Sequence, residues 1–159
     1  MATQLQLRKG TKIQNDTFTG AQGELTFETD TKGLRIHDGA TQGGFEVPVL
    51  VAVQRPTAAN NYTWYRKYSD GWIEQGGLAT IPSRTNSGNS SVSVVFPVTM
   101  IDTNYTGQIS FQDGGTYYAN CMLTIKNRQT TGVDLEFYMN ASGTTASFLV
   151  GWQVSGMAA

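Results

Sequence analysis

Short runs of strictly alternating apolar and polar side chains recur through the chain, and no stretch carries a convincing helical period. Phe148, Val150, Trp152 and Val154 alternate with Leu149, Gly151, Gln153 and Ser155. Val133, Leu135, Phe137 and Met139 alternate with Asp134, Glu136, Tyr138 and Asn140, and Tyr105, Gly107, Ile109 and Phe111 alternate with Thr106, Gln108 and Ser110. Tyr117, Ala119, Cys121, Leu123 and Ile125 form a further run. A period of two places one set of side chains on a core face and the other outside. Segments rich in turn formers, residues 112–116, 127–132 and 141–147, separate the runs, the pattern expected of an antiparallel β-sandwich.

Residues 5–44 hold three more alternating runs. Leu5 and Leu7 alternate with Gln4 and Gln6; Leu25 and Phe27 with Glu24, Thr26 and Glu28; Leu34 and Ile36 with Arg35. Each is expected to form a half-buried strand with its apolar side inward. Between the last two, Asp30-Thr31-Lys32-Gly33 predicts a type I hairpin turn, with Gly33 at positive φ. Phe45-Glu46-Val47-Pro48-Val49-Leu50-Val51 predicts one strand at an edge or strand start, because Pro48 removes a ladder donor.

The phrases RKGT, FTGAQGELTFETDTKGLRIHDG and the Gly43-Gly44 pair resemble the amino-terminal module of the major tropism determinant family. The resemblance covers about the first quarter of the chain. It implies a small intertwined β module, a homotrimer and attachment to a virion. The aperiodic polar stretch Arg55-Pro56-Thr57-Ala58-Ala59-Asn60-Asn61 predicts a linker, which divides the chain into residues 1–54, 55–61 and 62–159.

After the linker, Tyr62, Trp64, Arg66 and Tyr68 alternate with Thr63, Tyr65 and Lys67, and Ser69-Asp70-Gly71 turns the chain into Trp72-Ile73-Glu74-Gln75. The phrase YSDGWIEQGG, the run Val92-Ser93-Val94-Val95-Phe96-Pro97 and the closing Phe148-Leu149-Val150-Gly151-Trp152 together resemble the small carboxy-terminal domain of phage tail-fibre proteins. That likeness is spread over the last three-fifths of the chain.

Composition excludes several classes. Charged residues make up 14% and the net charge is −1, and there is no Lys/Arg cluster, so no nucleic-acid partner and no basic membrane face are expected. The longest apolar run is too short to span a bilayer, and the first ten residues lack the apolar stretch of a signal peptide, so synthesis in a host cytoplasm is expected. Cys121 is the only cysteine; it forms no intrachain disulfide and is expected to be a small buried hydrophobe. Asn-x-Ser/Thr sequences at Asn15, Asn61, Asn89, Asn104 and Asn140 are chance products of an Asn-, Ser- and Thr-rich chain.

The residues offer little for catalysis. His37 is the only histidine and lies beside Asp38, but neighbours on a strand point to opposite faces and cannot orient one another. Three copies of His37 on a trimer axis would make a weak metal set, and no metal or other cofactor is expected. Asp134 and Glu136 share a strand face at about 7 Å, a spacing open to glycan cleavage, yet no hydrolase motif surrounds them and a solvated face is the simpler reading. Gly76-Gly77 and Gly114-Gly115 lack a phosphate-cradle pattern and are read as turns. Recognition remains: aromatic rings with Asp, Asn and Arg on loops suit sugars and protein surfaces. The candidate set is Asp113, Tyr117, Tyr118, Arg128 and Asn140.

Tyr118, Met122, Tyr138 and Leu149 stand on nominally outer faces among uncharged groups, as a subunit interface would require. The expected protein is thus all-β and non-enzymatic. It is expected to be a homotrimeric virion fibre that meets other tail or capsid proteins and a bacterial surface receptor, either polysaccharide or outer-surface protein. The alternatives are a structural or decorative fibre without specific receptor binding, and a glycan-cleaving tailspike.

Overall fold

The computed structural model of the chain describes residues 6–85, 88–112, 121–139 and 144–159. It is almost entirely β and divides into two compact units, residues 1–51 with 68–71, and residues 52–67 with 72–159. Among the described residues no helix is long and apolar enough to cross a membrane.

The first unit is a four-stranded sheet in the order β1 (Arg8–Gly10), β2 (Leu25–Glu28), β3 (Leu34–Ile36), β4 (Phe45–Val47). β1 and β2 run parallel and the other pairs antiparallel. A one-turn helix, α1 (Lys12–Asp16), sits between β1 and β2. Its signal is local: Thr11 Oγ1 accepts from the Gln14 N–H while the Gln14 side chain accepts from the Thr11 N–H, a reciprocal cap that satisfies two otherwise orphaned donors. At five residues it is too short to show a period.

The hairpin between β2 and β3 departs from expectation. Lys32, not Gly33, takes the left-handed conformation, at φ +66°. The loop closes through Lys32 N–H to the Glu28 carbonyl, which moves the positive φ to the residue before Gly33. Pro48 also does more than mark an edge. It ends β4 at Val47, and a separate strand, β5 (Leu50–Gln54), follows, because the missing N–H interrupts the ladder.

The larger correction concerns which side of this sheet is the core. Thr26, Glu28, Arg35 and His37 are buried, at 0%, 0%, 5% and 1% exposure, whereas Leu25, Ile36 and Phe45 are 40%, 45% and 55% exposed. The alternation was legible, but the face was inverted. Asp16 and Gly43 come together around Arg35, so the polar side chains satisfy one another, and the apolar set is left outside.

The second unit is a sandwich. One sheet has five strands in the order β10 (Thr106–Phe111), β14 (Phe148–Met157), β7 (Trp72–Ile81), β6 (Trp64–Tyr68), β5; the other has three in the order β11 (Cys121–Gln129), β12 (Gly132–Met139), β9 (Gly88–Val95). Two further short strands, β8 (Arg84–Thr85) and β13 (Thr144–Thr145), pair with each other. Gly76 and Gly77, expected as a turn, lie inside the ten-residue β7 opposite Gln153 and Trp152. Close approach of neighbouring groups accounts for them: a Cβ on Gly76 would stand 2.5 Å from the Trp152 carbonyl oxygen and 3.0 Å from the Trp64 ring, and one on Gly77 would stand 3.2 Å from the Trp152 ring.

The sandwich core follows the alternation of β12 and β14, whereas Phe111, expected on the inner face of β10, is 40% exposed. Val133, Leu135 and Phe137 from β12 meet Phe148, Val150, Trp152 and Val154 from β14, with Ile73 and Ile81 from β7. The Phe96 ring stacks on Trp152 at 5.7 Å and meets Tyr105 edge-on at 5.4 Å, and Phe137 meets Phe148 edge-on at 4.8 Å. Gln75, fully buried, holds the Val98 backbone with both ends of its carboxamide: Oε1 accepts from the Val98 N–H at 2.9 Å and Nε2 donates to the Val98 carbonyl at 2.8 Å. The residues expected to form the linker contain a 3-10 turn at Ala58–Asn60, after which Asn61 and Tyr62 both take positive φ.

Candidate functional site

Side chains that could carry chemistry in the first unit are engaged inward. Gly20 N–H donates to His37 Nδ1 at 3.2 Å, so the ring proton lies on Nε2 and faces Thr26 Oγ1 at 3.1 Å. Phe18 packs edge-on against the ring. With both nitrogens used and the ring buried, His37 is a structural polar contact and offers no lone pair to a metal. Among the described residues no cluster of three potential ligands occurs.

Beside it, Arg35 Nε donates to Glu28 Oε1 at 2.6 Å and Nη1 to the Gly43 carbonyl at 2.8 Å, while Nη2 reaches Asp16. Burial by itself pulls the guanidinium down, but the bonds and charges of Glu28 and Asp16 outweigh it and hold Arg35 above its ordinary value. Asp38 sits outside this network and caps the next loop. It accepts from the Thr41 and Ala40 N–H groups and the Thr41 hydroxyl, which lower its carboxyl to about 2. It is not an orienting partner for His37.

The other face of this sheet is apolar and open. Leu25, Ile36 and Phe45 lie in one cross-strand row, and Phe27, Leu34 and Val47 lie in the next. Six apolar side chains on adjoining strands form a patch rather than scattered exposures.

Of the nominated recognition residues, Asp113, Tyr117, Tyr118 and Asn140 lie outside the described residues, as do Gly114, Gly115, Ala119 and the side chain of Cys121. Arg128 stands near the end of β11. Its Nη1 donates to the Tyr105 carbonyl and its guanidinium lies 5.4 Å from the Tyr105 ring centre. Tyr105 in turn donates to the Gln129 carbonyl at 3.0 Å. Burial raises the Tyr105 phenol, against the lowering effect of the Arg128 charge. Arg128 is therefore exposed but braced, a fixed cation at one end of the sandwich.

The Asp134–Glu136 pair does not look like a hydrolytic dyad. The Ser93 hydroxyl and then the Asn127 amide hold the Asp134 carboxyl below its ordinary value, and Glu136 is ion-paired with Lys126. A glycosidase needs one of its carboxyls raised so that it can donate a proton. Two outer-face side chains of this sheet are open, with Met122 56% and Tyr138 36% exposed.

Two hollows in the second unit were not foreseen. One, of about 600 Å³, runs along Val92, Ser93, Val94 and Val95 of β9, with Trp152 in its wall. Trp152 Nε1 is buried without an acceptor. The other, of about 560 Å³, lies on the outer face of the five-stranded sheet and involves Trp64 and Gln153. Reading Gly76-Gly77 as a turn hid it, because only a continuous β7 brings Trp64 and Gln153 into one row.

Residues 5–41 match the family described as the major tropism determinant N-terminal domain. Over 127 residues the chain is 53% identical to the tail fiber receptor-binding protein of Bordetella phage BPP-1; the match takes in 76% of this chain and 32% of that protein. The chain thus spans about a third of the length of the curated relative it matches. Among solved structures, it is similar to an N-truncated R1-type pyocin tail fiber, at TM-score 0.49 and 11% identity over 66% of this chain and 84% of that one. It is also similar to the P3c variant of the major tropism determinant, at TM-score 0.29 and 26% identity over 57% and 29% respectively.

Proposed function

We propose that this chain is a phage tail-fibre protein, homotrimeric and non-enzymatic, that holds a virion to a bacterial surface receptor. The likeness to a phage tail fiber receptor-binding protein supports the class. The observation that carries the assembly is the apolar face of the first unit, where Leu25, Ile36 and Phe45 stand open over a core of polar side chains. A small sheet that buries its charges and exposes its aliphatic side chains is stabilised when copies of itself cover them. Residues 1–54 then serve as the trimerisation and virion-attachment module, meeting other tail or capsid proteins, residues 55–61 as the linker, and residues 62–159 as the receptor-binding sandwich. The protein is made in the host cytoplasm and carried on the virion.

The receptor is a surface polysaccharide or an outer-surface protein, met by the loops that carry Asp113, Tyr117, Tyr118, Arg128 and Asn140. Three copies acting together turn weak individual contacts into tight adhesion. The test is adsorption of the full chain to intact host-type cells. Binding should saturate and should fall when Tyr117, Tyr118 and Arg128 are replaced together by alanine. Binding only to other virion proteins would overturn the receptor role, and release of sugar from host polysaccharide would overturn the non-enzymatic one.

A further inference from the structure

The outer face of the five-stranded sheet carries a trough whose lining mixes apolar groups with uncharged polar side chains, Trp64 and Leu78 beside Gln108, Gln112 and Gln153. Register places Trp64 opposite Gly76, Gly76 opposite Gln153, and Gln153 opposite Gln108, so the four make one row across β6, β7, β14 and β10. Three interstrand steps separate the indole from the far carboxamide, about 14 Å at the backbone. In the adjoining row Leu78 faces Gly151, which faces Ser110. Two glycines let neighbouring side chains lie close over the sheet. A Cβ on Gly76 would meet the Trp64 indole at 3.0 Å, and one on Gly151 would meet Gln112 Nε2 at 2.7 Å. Gln112 donates to Ser110 Oγ at 3.0 Å along the rim, and Gln108 and Gln153 stand exposed.

The trough measures about 560 Å³, and among the described residues no side chain in its lining bears a charge. That size lies within the range of about 300–1,000 Å³ occupied by small-ligand sites. Arg66, on the same face of β6, is 4.0 Å from Glu74, and among the described residues the trough itself presents no charge to a phosphate or carboxylate. A carboxamide both donates and accepts, as a sugar hydroxyl does, and several of them beside an indole match a ring with hydroxyl edges and an apolar C–H face.

We propose that this trough is a binding site for a neutral saccharide, with Trp64 covering the apolar face of the sugar ring and Gln108, Gln112 and Gln153 bonding its hydroxyls. The proposal rests on the receptor-binding reading and places sugar contact on a sheet face instead of the loops. Each site is shallow and binds weakly, and the copies of the assembly supply the strength.

The test uses the full chain, 15N-labelled, with the indole and carboxamide N–H signals followed by NMR. The probes are the methyl glycosides of glucose, galactose and rhamnose and free N-acetylglucosamine, each to about 100 mM, well above the millimolar constants of a weak open site. Glucuronate serves as the charged comparison. At least one neutral sugar should shift Trp64 and Gln153 saturably, and Trp64→Ala or Gln153→Ala should weaken it roughly tenfold or more with the melting temperature unchanged. Absence of saturable shifts for all four neutral probes overturns the site, as does binding indifferent to both variants or confined to glucuronate. A change of oligomer mass in Trp64→Ala would also overturn it, marking the face as a subunit contact. Cell adsorption measured on the same sample separates the two failures: adsorption intact without sugar binding removes this site alone, and adsorption lost as well removes the receptor role.

Discussion

Arg35 and Glu28, on adjacent strands of the first unit, form a buried ion pair at 2.6 Å, at 6% and 0% side-chain exposure. A buried pair adds little over an apolar pair of the same shape, but removing one member strands the other's charge. Arg35→Met should therefore cost about 3–5 kcal/mol and Glu28→Gln a large part of that, whereas Arg8→Met, at an exposed pair with Glu24, should cost less than about 1 kcal/mol. Urea titration of the three variants checks the order.

Gly44 and Gly23 have similar left-handed backbones, at φ +60° and +78°, but different surroundings. A Cβ on Gly44 would stand 2.7 Å from the Ile36 carbonyl oxygen, and one on Gly23 would meet nothing within 4 Å. Gly23→Ala should cost about 1–2 kcal/mol from conformation alone, and Gly44→Ala clearly more, since the strand would have to move. Thermal unfolding of both variants separates strain from clash.

Acid should loosen the loop after β3. The Asp38 carboxyl is lowered from 3.8 to about 2 by the Thr41 and Ala40 N–H groups and the Thr41 hydroxyl. A depressed carboxyl contributes stability that is complete above its unfolded value and lost as pH falls through the folded one. Loss should accordingly run from about pH 4 down to about 2, and Asp38→Asn should flatten that part of the stability curve. A series of melts from neutral pH to acid checks it.

Trp152 is a large core ring with an unpaired donor. An unsatisfied buried N–H costs about 1–3 kcal/mol, so Trp152→Phe should lose packing yet recover that penalty and land within about 1 kcal/mol of the parent. Leu135→Ala, which removes a fully buried side chain without such relief, should cost about 2–5 kcal/mol. Denaturant unfolding compares the two directly.

The core of the second unit was legible because Phe148, Val150, Trp152 and Val154 alternate with small or polar residues and sit between turn-rich segments, leaving one face to bury. In the first unit Leu25 and Phe27 alternate just as cleanly with Thr26 and Glu28, but period alone does not say which face is the core. That depends on Asp16, Gly43 and His37 arriving from elsewhere to satisfy Arg35, Glu28 and Thr26, and so on contacts between residues distant in sequence. The helix at Lys12–Asp16 is signalled only by the Thr11–Gln14 cap, since five residues are too few to show a period. Gly76-Gly77 misled because glycine pairs usually mark turns, whereas here they make room for Trp64 and Trp152. Of the candidate recognition residues only Arg128 falls among the described residues, braced on Tyr105.

Copies of the same chain are expected to cover the open face of Leu25, Ile36 and Phe45. Light scattering across a dilution series, on the parent and on Ile36→Asp, tests it most directly. The parent should give a stable species of three times the 17.3 kDa chain mass and the variant a folded monomer. A parent that is monomeric at every concentration, or a variant that stays trimeric, would contradict it.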